Sequence, residues 1–352
     1  MNNRRRQDNE NPLLKRDVAP GFSEASPPHT GPPPRKLFDK WGGKRYNPVS
    51  IHFKKRFGCK VYRVSVNAGF TCPNRDGTIS AGGCIYCGER GAASIGAEEQ
   101  LAIADQILAG IKVMKEKNRA DKFIAYFQSF TNTYQTSAVL RRYYGEALSV
   151  ENVVGLSVST RPDCLSDEII DLLVEYDSVT YLWLELGLQT VHDKTLRLIG
   201  RGHDFSNFLD GYHRIKERGL KVCLHVILGL PGESEKEMME TADMLAKLKP
   251  DGIKIHLLHA LKNTVLAEMY LRKRWKPLEM KNYIKIVCNT LERLHPSTIV
   301  HRLTGDPLRG YLVTPDWAVK KWEVLNGIDN ELKKRDSFQG IRCSEIQYYV
   351  NS

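Results

Sequence analysis

Three cysteines on one short glycine-rich stretch have the spacing that most clearly indicates chemistry in this chain. Cys72, Cys84 and Cys87 lie in the run Cys72–Gly88, directly after a strand-like stretch at Tyr62–Phe70. Structural zinc normally takes four ligands, whereas an iron–sulfur cluster held by three cysteines keeps one iron open. The open position predicts a site where a substrate or cofactor binds.

The residues around the cysteines favour a compact inorganic core. Glycines let a chain wrap closely around such a core, and their amides can donate hydrogen bonds to its sulfurs. Four glycines lie in the run: Gly77, Gly82, Gly83 and Gly88. Tyr86, directly before the last cysteine, is predicted to shield one face of the core or to touch a ligand on the open iron.

Zinc is the alternative that the spacing leaves open, because Cys-x2-Cys also marks zinc sites. A zinc ion would need a distant fourth ligand, for which His52, Cys59 and His203 are candidates. The chain would then be a zinc-stabilised nucleic-acid-binding protein without catalysis. A formal net charge of +11 favours a polyanionic partner such as RNA under either interpretation.

Length and composition favour a large cytoplasmic protein. The 352 residues are 41% hydrophobic, which suffices for a sizeable core. The cysteines outside the loop are scattered, as in a reducing cytosol, and we assign them mainly to packing: Cys59, Cys164, Cys223, Cys288 and Cys343. No apolar run approaches the ~20 residues that span a bilayer, and Met1–Arg6 lacks a signal-peptide core, so we expect no membrane partner.

From about residue 60 the chain alternates between strand-like and helical patterns. Continuous apolar runs predict six parallel strands at Tyr62–Phe70, Phe123–Ser129, Val153–Thr160, Thr180–Gly187, Leu220–Gly229 and Gly252–Leu258. Helical periodicity lies between them at Glu98–Lys117, Ser137–Leu148, Ser166–Tyr176, Phe205–Arg218 and Ser234–Leu248. Six such units predict a barrel or an open α/β sheet, with the ligand at the carboxyl ends of the strands.

Polar residues follow every predicted strand, as that rule requires. After the cysteine loop they occur at Gln128–Thr133, Ser157–Pro162, Glu185–Thr190, His225 with Gly229–Glu233, and His256 with His259 and Lys262. Any one group could be ordinary loop polarity or helix capping. Because all of them converge on one rim, they predict a binding site.

A strand, a three-cysteine loop and further strand–helix units together resemble the radical S-adenosylmethionine (SAM) superfamily. The usual family spacing is Cys-x3-Cys-x2-Cys, whereas eleven residues separate Cys72 from Cys84 here. This longer insert resembles the branch that contains the catalytic subunit of Elongator, a tRNA-modifying enzyme. The run Asn67–Cys87 resembles a bacterial group within that branch, and the similarity continues through Arg302–Asp306 and Trp317–Ile328.

The resemblance implies a fold, two cofactors and a reaction. The fold would be α/β, with a radical SAM partial (β/α)6 barrel at residues 41–295 and a small C-terminal α/β extension at 296–352. A disordered, basic, proline-rich tail would occupy residues 1–40. A [4Fe-4S] cluster on the three cysteines would bind SAM, and a reducing electron donor would drive its cleavage to a radical that abstracts hydrogen from the substrate. The substrate stays unidentified, with tRNA or another RNA as a class that the Elongator branch suggests.

Individual SAM contacts follow from similarity to oxygen-independent coproporphyrinogen oxidase, a relative within the superfamily. At the methionine end of SAM, Ser129 and Thr131 match contacts to the amino group, and Ser159 replaces a carboxylate. Arg201 matches the partner of the methionine carboxylate, and Gln189 matches a ribose ligand. At the adenosine end, His225 replaces an aspartate, and Gly229 lies where the backbone passes adenine. A planar guanidinium suits a carboxylate because it can bind both oxygens.

Two further groups of polar residues have no assigned role. The first is expected to project toward the substrate side of the rim: Glu185, His256, His259 and Lys262. The second would cap the open barrel and contact the substrate: Arg302, Asp306 and Arg309. Acid–base chemistry and ordinary structural hydrogen bonding both remain open for these residues.

Overall fold

A curved, parallel, seven-stranded sheet forms the centre of the protein. The computed structural model describes residues 35–88, 101–118, 120–307 and 309–346. The sheet order is β1-β2-β3-β4-β5-β6-β8, and every neighbouring pair in it is parallel. Its strands are β1 (Val61–Val66), β2 (Lys122–Phe127), β3 (Val153–Thr160), β4 (Tyr181–Gln189), β5 (Val222–Leu228), β6 (Gly252–Leu257) and β8 (Ile299–Arg302). Strands β7 (Ala260–Leu261) and β9 (Leu312–Thr314) form a small antiparallel sheet.

Helices precede, connect and follow the strands, and those that connect them form the crossovers that parallel strands require. They are α1 (Arg35–Lys40), α2 (Val49–Phe57), α3 (Ile103–Asn118), α4 (Ser137–Ser149), α5 (Asp167–Val179), α6 (Asp193–Leu198), α7 (Phe205–Glu217), α8 (Glu235–Leu248), α9 (Val265–Leu271), α10 (Met280–Arg293) and α11 (Lys321–Lys334). The predicted α/β partial barrel is therefore confirmed, and β8 extends its sheet to seven strands.

The core lies between the outer face of the sheet and these helices. Central strands are buried along most of their length, so they read as continuous apolar runs. A second cluster, which includes Phe53, Tyr181 and Trp183, fills the interior of the half-barrel near the amino ends of its strands. The carboxyl ends are consequently the part of the interior that is left for polar side chains.

Strand β1 is shorter than predicted and ends at Val66 rather than at Phe70. Gln106 of α3 causes this, because its side chain binds the backbone N–H of Asn67 (2.8 Å) and its C=O (2.9 Å). The Asn67 side chain in turn accepts from the amide of Gly69 (3.1 Å). These bonds turn the chain out of the sheet five residues before the first cysteine of the loop.

Residues 35–40, which were predicted to belong to the disordered tail, form helix α1 instead. Leu37 and Trp41 are buried against Phe338, so this segment has an apolar partner that its own local sequence does not reveal. The adjoining Arg45 accepts at its carbonyl from the amide of Gln339 (2.8 Å). Residues 1–34 of the predicted tail lie outside the described residues.

The half-barrel is open along one side, between its edge strands β1 and β8. Helix α2 lies across the amino ends of both strands, and the amide of Val300 in β8 donates to Asn47 just before that helix (2.7 Å). The predicted boundary at residues 295 and 296 falls just before β8, so the C-terminal segment supplies a strand of the main sheet. Across the described residues, no helix combines the length and apolar character that crossing a membrane requires.

Candidate functional site

The three-cysteine loop follows β1 and is folded back on itself by its own backbone. The carbonyl of Cys72 accepts from the amides of Arg75 (2.7 Å) and Asp76 (3.2 Å). The carbonyl of Cys84 accepts from the amide of Cys87 (2.8 Å). These turns bring all three cysteine side chains to the lining of one cavity at the carboxyl ends of the strands.

This cysteine cavity, with a volume of about 840 Å³ including the solvent space at its mouth, brings together most of the predicted SAM contacts. Those that line it beside the cysteines are Tyr86, Thr131, Ser159, Gln189, Arg201 and His225. Ser129 is buried two residues from Thr131 but does not reach the lining. The placement agrees with the rule that ligands of parallel sheets bind at the carboxyl ends.

Asn74, which the sequence reasoning did not single out, ties the cysteine loop to the Gly200–Gly202 turn. Its buried side-chain amide donates to the carbonyls of Gly200 and Arg201 (both 2.8 Å) and lies 3.6 Å from the sulfur of Cys84. A Cβ on Gly202 would lie only 2.2 Å from the Asn74 oxygen, and its φ is +76°. Glycine is therefore required at position 202. In the sequence, only the position of Asn74 two residues after Cys72 could have drawn attention to it.

Replacing Asn74 with alanine should loosen this connection. The change leaves the half-buried Gly200 carbonyl without its donor, so we expect the free energy of unfolding to fall by about 1–2 kcal/mol. Urea unfolding measures this cost. Asn326→Ala, on the exposed face of α11, is the matched control and should change stability by less than about 0.5 kcal/mol. Equal stability of the two variants would contradict a tethering role for Asn74.

Arg201 is a buried residue of the cavity rather than a surface arginine, since it is only 7% exposed. One guanidinium nitrogen donates to the carbonyl of Gly187 (2.9 Å), while Nε has no partner among the described residues. The hydroxyl of Ser129 is also buried without a partner among the described residues, but it lies outside the described lining. A buried donor left unpaired costs about 1–3 kcal/mol, so the Nε of Arg201 fits a bound polar ligand such as an amino acid moiety.

Gln189 ends β4 in a left-handed conformation, with a φ of +71°. Such a conformation is uncommon for a residue other than glycine and tends to occur at functional sites. Its side chain and that of Arg201 both lie over Gly187, where a Cβ would come within 2.7 Å and 2.6 Å of them. Gly187 therefore lets the predicted ribose ligand and the predicted carboxylate ligand stand side by side.

Two predicted site residues lie away from the cavity. Gly229 is packed against Leu278, and its backbone is already engaged: the N–H donates to the Met238 sulfur (3.3 Å), and the C=O accepts from Trp275 (3.0 Å). It is absent from the described lining of the cysteine cavity. Lys262 is exposed beside the small sheet of β7 and β9 rather than on the rim of the half-barrel. Neither residue therefore belongs to the described lining of the cysteine cavity.

Glu185 is the centre of a hydrogen-bonded network inside the half-barrel. Its carboxylate is fully buried and accepts from Ser157 (2.6 Å), Tyr126 (2.8 Å) and His225 (2.8 Å). The ammonium of Lys254 forms a short ion pair with the same carboxylate. Because a carboxylate only accepts, His225 must carry its proton on Nε2. The bonds orient the His225 ring at the edge of the cysteine cavity.

Burial and the charges of this network shift the pKa values of its members. Burial alone would raise the pKa of Glu185, but Lys254, His225 and Arg63 outweigh it and hold that pKa well below its usual range. Burial lowers the pKa of Lys254 to about 8 against the pull of Glu185, with Arg63 adding to the lowering. Burial, and then Lys254, lower the pKa of His225 to about 4. At neutral pH, Glu185 is therefore ionised and His225 is neutral.

A second cavity of about 1020 Å³, including the solvent space at its mouth, adjoins the first. Residues shared by the two linings are Tyr86, Cys87, Gln128, Gln189, His225 and His256. The second lining also contains His259, Arg302 and Asp306, which the sequence led us to expect near the substrate. The side chain of Arg309 lies outside the described residues. Because the two cavities meet at His225 and Gln189, a molecule in one would lie next to a molecule in the other.

The candidates for a fourth zinc ligand do not lie in the cysteine cavity. His52 on α2 is hydrogen-bonded to the hydroxyl of Tyr181 (2.7 Å) at the amino end of β4, and Cys59 precedes β1 at the same end of the barrel. His203 lies nearer, but it is not among the described lining residues. Within the described ranges, no three His, Cys, Asp or Glu side chains converge on a single metal position.

Family models match most of this architecture. The model described as the Radical SAM superfamily matches residues 71–245, a range that contains all three loop cysteines and Arg201. A second model, described as the Radical_SAM C-terminal domain, matches residues 250–334.

Relatives with known sequences and structures agree with these matches. The protein YtqA of Bacillus subtilis is 44% identical over 297 residues, which cover 84% of this chain and 92% of YtqA. A tRNA uridine(34) acetyltransferase of Methanocaldococcus infernus is 26% identical, over 68% of this chain and 44% of that protein. The structure of archaeal Elp3 from Methanocaldococcus infernus has a TM-score of 0.60 at 18% identity, over 79% of this chain and 64% of that one. At that identity the likeness shows the fold alone.

Proposed function

Because the chain belongs to the radical SAM superfamily, we propose that Cys72, Cys84 and Cys87 hold a [4Fe-4S] cluster and that the cysteine cavity binds SAM beside it. The observation that carries this proposal is one cavity that joins the three cysteines to a buried guanidinium with a free donor. When bound, the cluster would supply the electron that cleaves SAM and so starts hydrogen abstraction from the substrate.

The residues of the cavity fit the polar groups of SAM one by one. The Nε of Arg201 would donate to the methionine carboxylate, and the hydroxyl of Thr131 would accept from the amino group. Gln189, beside Arg201, would bind a ribose hydroxyl. Gly229 has no part in this arrangement because its backbone groups are already bonded.

Two other residues would orient the ligand and exclude water. Tyr86 lies between the two cavities and lines both, so its ring would separate the cluster end from the substrate end. His225, neutral and fixed by Glu185, would present its remaining ring nitrogen or its ring face without adding a charge next to a sulfonium. A shielded site of this kind protects a reactive species from side reactions with water.

Anaerobic reconstitution with iron and sulfide tests the proposal. We expect a brown protein with about four irons per chain that cleaves SAM when a chemical reductant such as dithionite takes the place of the cellular electron donor. SAM cleavage is measured as methionine released. A colourless protein that binds one zinc ion and does not cleave SAM would contradict the proposal and support the zinc-stabilised alternative.

Replacing Arg201 should weaken SAM binding without removing the cluster. Losing one charge-assisted bond costs about 1.5–3 kcal/mol, so Arg201→Ala should weaken binding roughly ten- to a hundredfold. Arg201→Lys should restore only part of the loss, because an ammonium lacks the planar geometry. Calorimetric titration of SAM into reconstituted protein under nitrogen measures both. Arg197→Ala, four residues earlier and exposed, is the matched control and should bind as the wild type does.

RNA, including transfer RNA, is the substrate class that we propose. The net charge of +11 supports it, because a cationic surface attracts a phosphate backbone. The similarity to an archaeal tRNA uridine(34) acetyltransferase also supports it, although this chain covers only 44% of that protein. The test is whether cellular RNA fractions, rather than small metabolites, increase SAM cleavage. Stimulation by metabolites alone would contradict RNA as the substrate.

A further inference from the structure

The open side of the half-barrel contains a cationic cleft. This seam cleft lies between β1 and β8 and has a volume of about 1680 Å³, including the solvent space at its mouth. Among the described residues, five cationic side chains and no carboxylate line it: Lys60, Arg63, Lys254, Arg302 and Lys321. Tyr126 and Gln128 line both this cleft and the cysteine cavity, so the seam cleft leads toward the proposed SAM site.

The cations at the inner end of the seam cleft outnumber the anions that neutralise them. Lys254 is paired with Glu185, and Arg63 lies 3.9 Å from the same carboxylate while it donates to His301 (2.6 Å). The single carboxylate of Glu185 thus faces two cations, Lys254 and Arg63, and Arg302 adds a third positive charge nearby. Unpaired charges are costly when they are buried. Lys254 is buried and Arg63 and Arg302 are half-buried, so the excess of positive charge favours a compensating anion.

Arg302, at the inner end of the seam cleft, has no anionic partner among the described residues. It lies on β8 directly across from Lys254 of β6 in the sheet register. No hydrogen bond or ion pair links its guanidinium to any of the described residues, and the nearby carboxylate of Asp306 is bonded to Lys321 instead (3.0 Å). The charge of Arg302 also contributes to lowering the pKa of Lys254, which shows that the two groups repel each other.

Arg302 lines the second cavity as well as the seam cleft. Resting on the proposed function, we infer that Arg302 and Lys254 together bind an oxyanion of the substrate, a phosphate or a carboxylate, at the inner end of the seam cleft. The oxyanion supplies the negative charge that the residues there lack. Its position between the seam cleft and the second cavity fixes the attached part of the substrate next to His225 and Gln189, where the two cavities meet. A guanidinium suits this role because it can bind two oxygens at once.

Anion titration of the reconstituted protein, with SAM at saturation, tests the inference. Sodium phosphate and sodium malonate are titrated separately by calorimetry at a constant ionic strength set with chloride. We expect wild-type protein to bind one of them and Arg302→Gln to bind it roughly ten- to a hundredfold more weakly. Arg302→Lys should fall in between. Arg274→Gln removes the same charge from an exposed position outside the described lining of the cleft and should bind as the wild type does.

The two anions distinguish the sources of the oxyanion. Arg302-dependent binding of phosphate supports a phosphorylated substrate or a nucleic acid, and Arg302-dependent binding of malonate alone supports a carboxylic acid. Thermal unfolding without added anion provides a second readout: removing an unpaired cation relieves repulsion, so Arg302→Gln should unfold at the wild-type temperature or above it. A merely structural arginine would lower that temperature.

Three results would overturn the inference: no binding of either anion to the wild type, equal binding of the anion by the wild type and Arg302→Gln, or anion binding that occurs without SAM and is lost at saturating SAM. The last would mean that the anion occupies the place of the methionine carboxylate. Iron content and SAM cleavage are measured on the same preparations of the wild type and test the proposed function separately from anion binding. If the wild type neither holds iron nor cleaves SAM but still binds the anion through Arg302, only the proposed radical SAM function is wrong.

Discussion

Replacing any one of Cys72, Cys84 and Cys87 by alanine is expected to abolish assembly of the cluster. Two thiolates hold a four-iron core poorly, so the iron and sulfide content after reconstitution should fall from about four per chain to near zero. The brown colour and SAM cleavage should disappear with it. The backbone bonds that shape the loop come from carbonyls and amides rather than sulfurs, so the variants should keep their fold by circular dichroism.

Cysteines elsewhere in the chain provide the controls for this result. Cys288 is buried between α10 and α11, where its thiol lies 3.7 Å from the carbonyl of Ile328. Cys164 lies closer to the site, beside Asp163, but outside the described lining of the cysteine cavity. Cys288→Ala and Cys164→Ala should both retain full iron content. Full iron occupancy in any one of the three loop variants would show that the cysteine in question is not a ligand.

Replacing Glu185 by glutamine is expected to destabilise the protein strongly. The change keeps the shape of the side chain but removes the only carboxylate that faces Lys254 and Arg63 in the described network. Leaving a buried charge without its partner costs about 3–5 kcal/mol. The free energy of unfolding in urea at pH 7 measures the loss, and a loss below about 1 kcal/mol would contradict the central role of Glu185.

A second substitution distinguishes lost pairing from lost packing. Glu185→Gln combined with Lys254→Met removes both charges, so the double variant should regain part of the stability that the single variant loses. If the double variant is destabilised by the sum of the two single changes, the charges are not coupled and the explanation is wrong. Glu240→Gln, which removes a carboxylate near the surface of α8, controls for the change in net charge.

The pH dependence of stability has a sign that follows from the same residues. The folded-state pKa of Glu185 is held low, so its contribution is present above the unfolded value near 4.5 and is lost as the pH falls below it. Glu185→Gln should therefore lack that acid-induced loss. The pKa of Lys254 is about 8 in the folded protein and 10.5 as a free side chain, so its contribution makes stability rise between those values.

The sequence predicted the sheet well because burial on both faces leaves a clear apolar signal. Strand β3 occupies the predicted range Val153–Thr160, and the predicted α7 and α8 differ from the observed helices by one residue at an end. Helix α10 was not predicted, although Tyr283, Val287 and Leu291 recur at four-residue spacing and are fully buried. Polar residues are as frequent in α10 as apolar ones, so the segment was not distinguished from a loop until its packing partners were known.

The site could be predicted only where its residues lie close together in the sequence, so that their spacing is recognisable. The cysteines lie within one short run, so their spacing was sufficient. The partners of Glu185 come from five other strands, and only the register of the sheet shows that they meet. Asn74 was missed for a similar reason, since the carbonyls that it binds lie 126 and 127 residues further along the chain.

The contact between the two ends of the described chain governs the order in which the protein can fold during translation. Arg45, next to α1, binds Asp336 and Ser337, which are 291 and 292 residues later in the sequence. The edge strand β8 is likewise synthesised long after β1. Since a ribosome adds about 5–20 residues per second, the segment around α1 waits on the order of 15–60 s for its partner, with Trp41 exposed. A chaperone that shields this aromatic segment on the nascent chain would suppress aggregation at a stage when the cysteine loop is already complete.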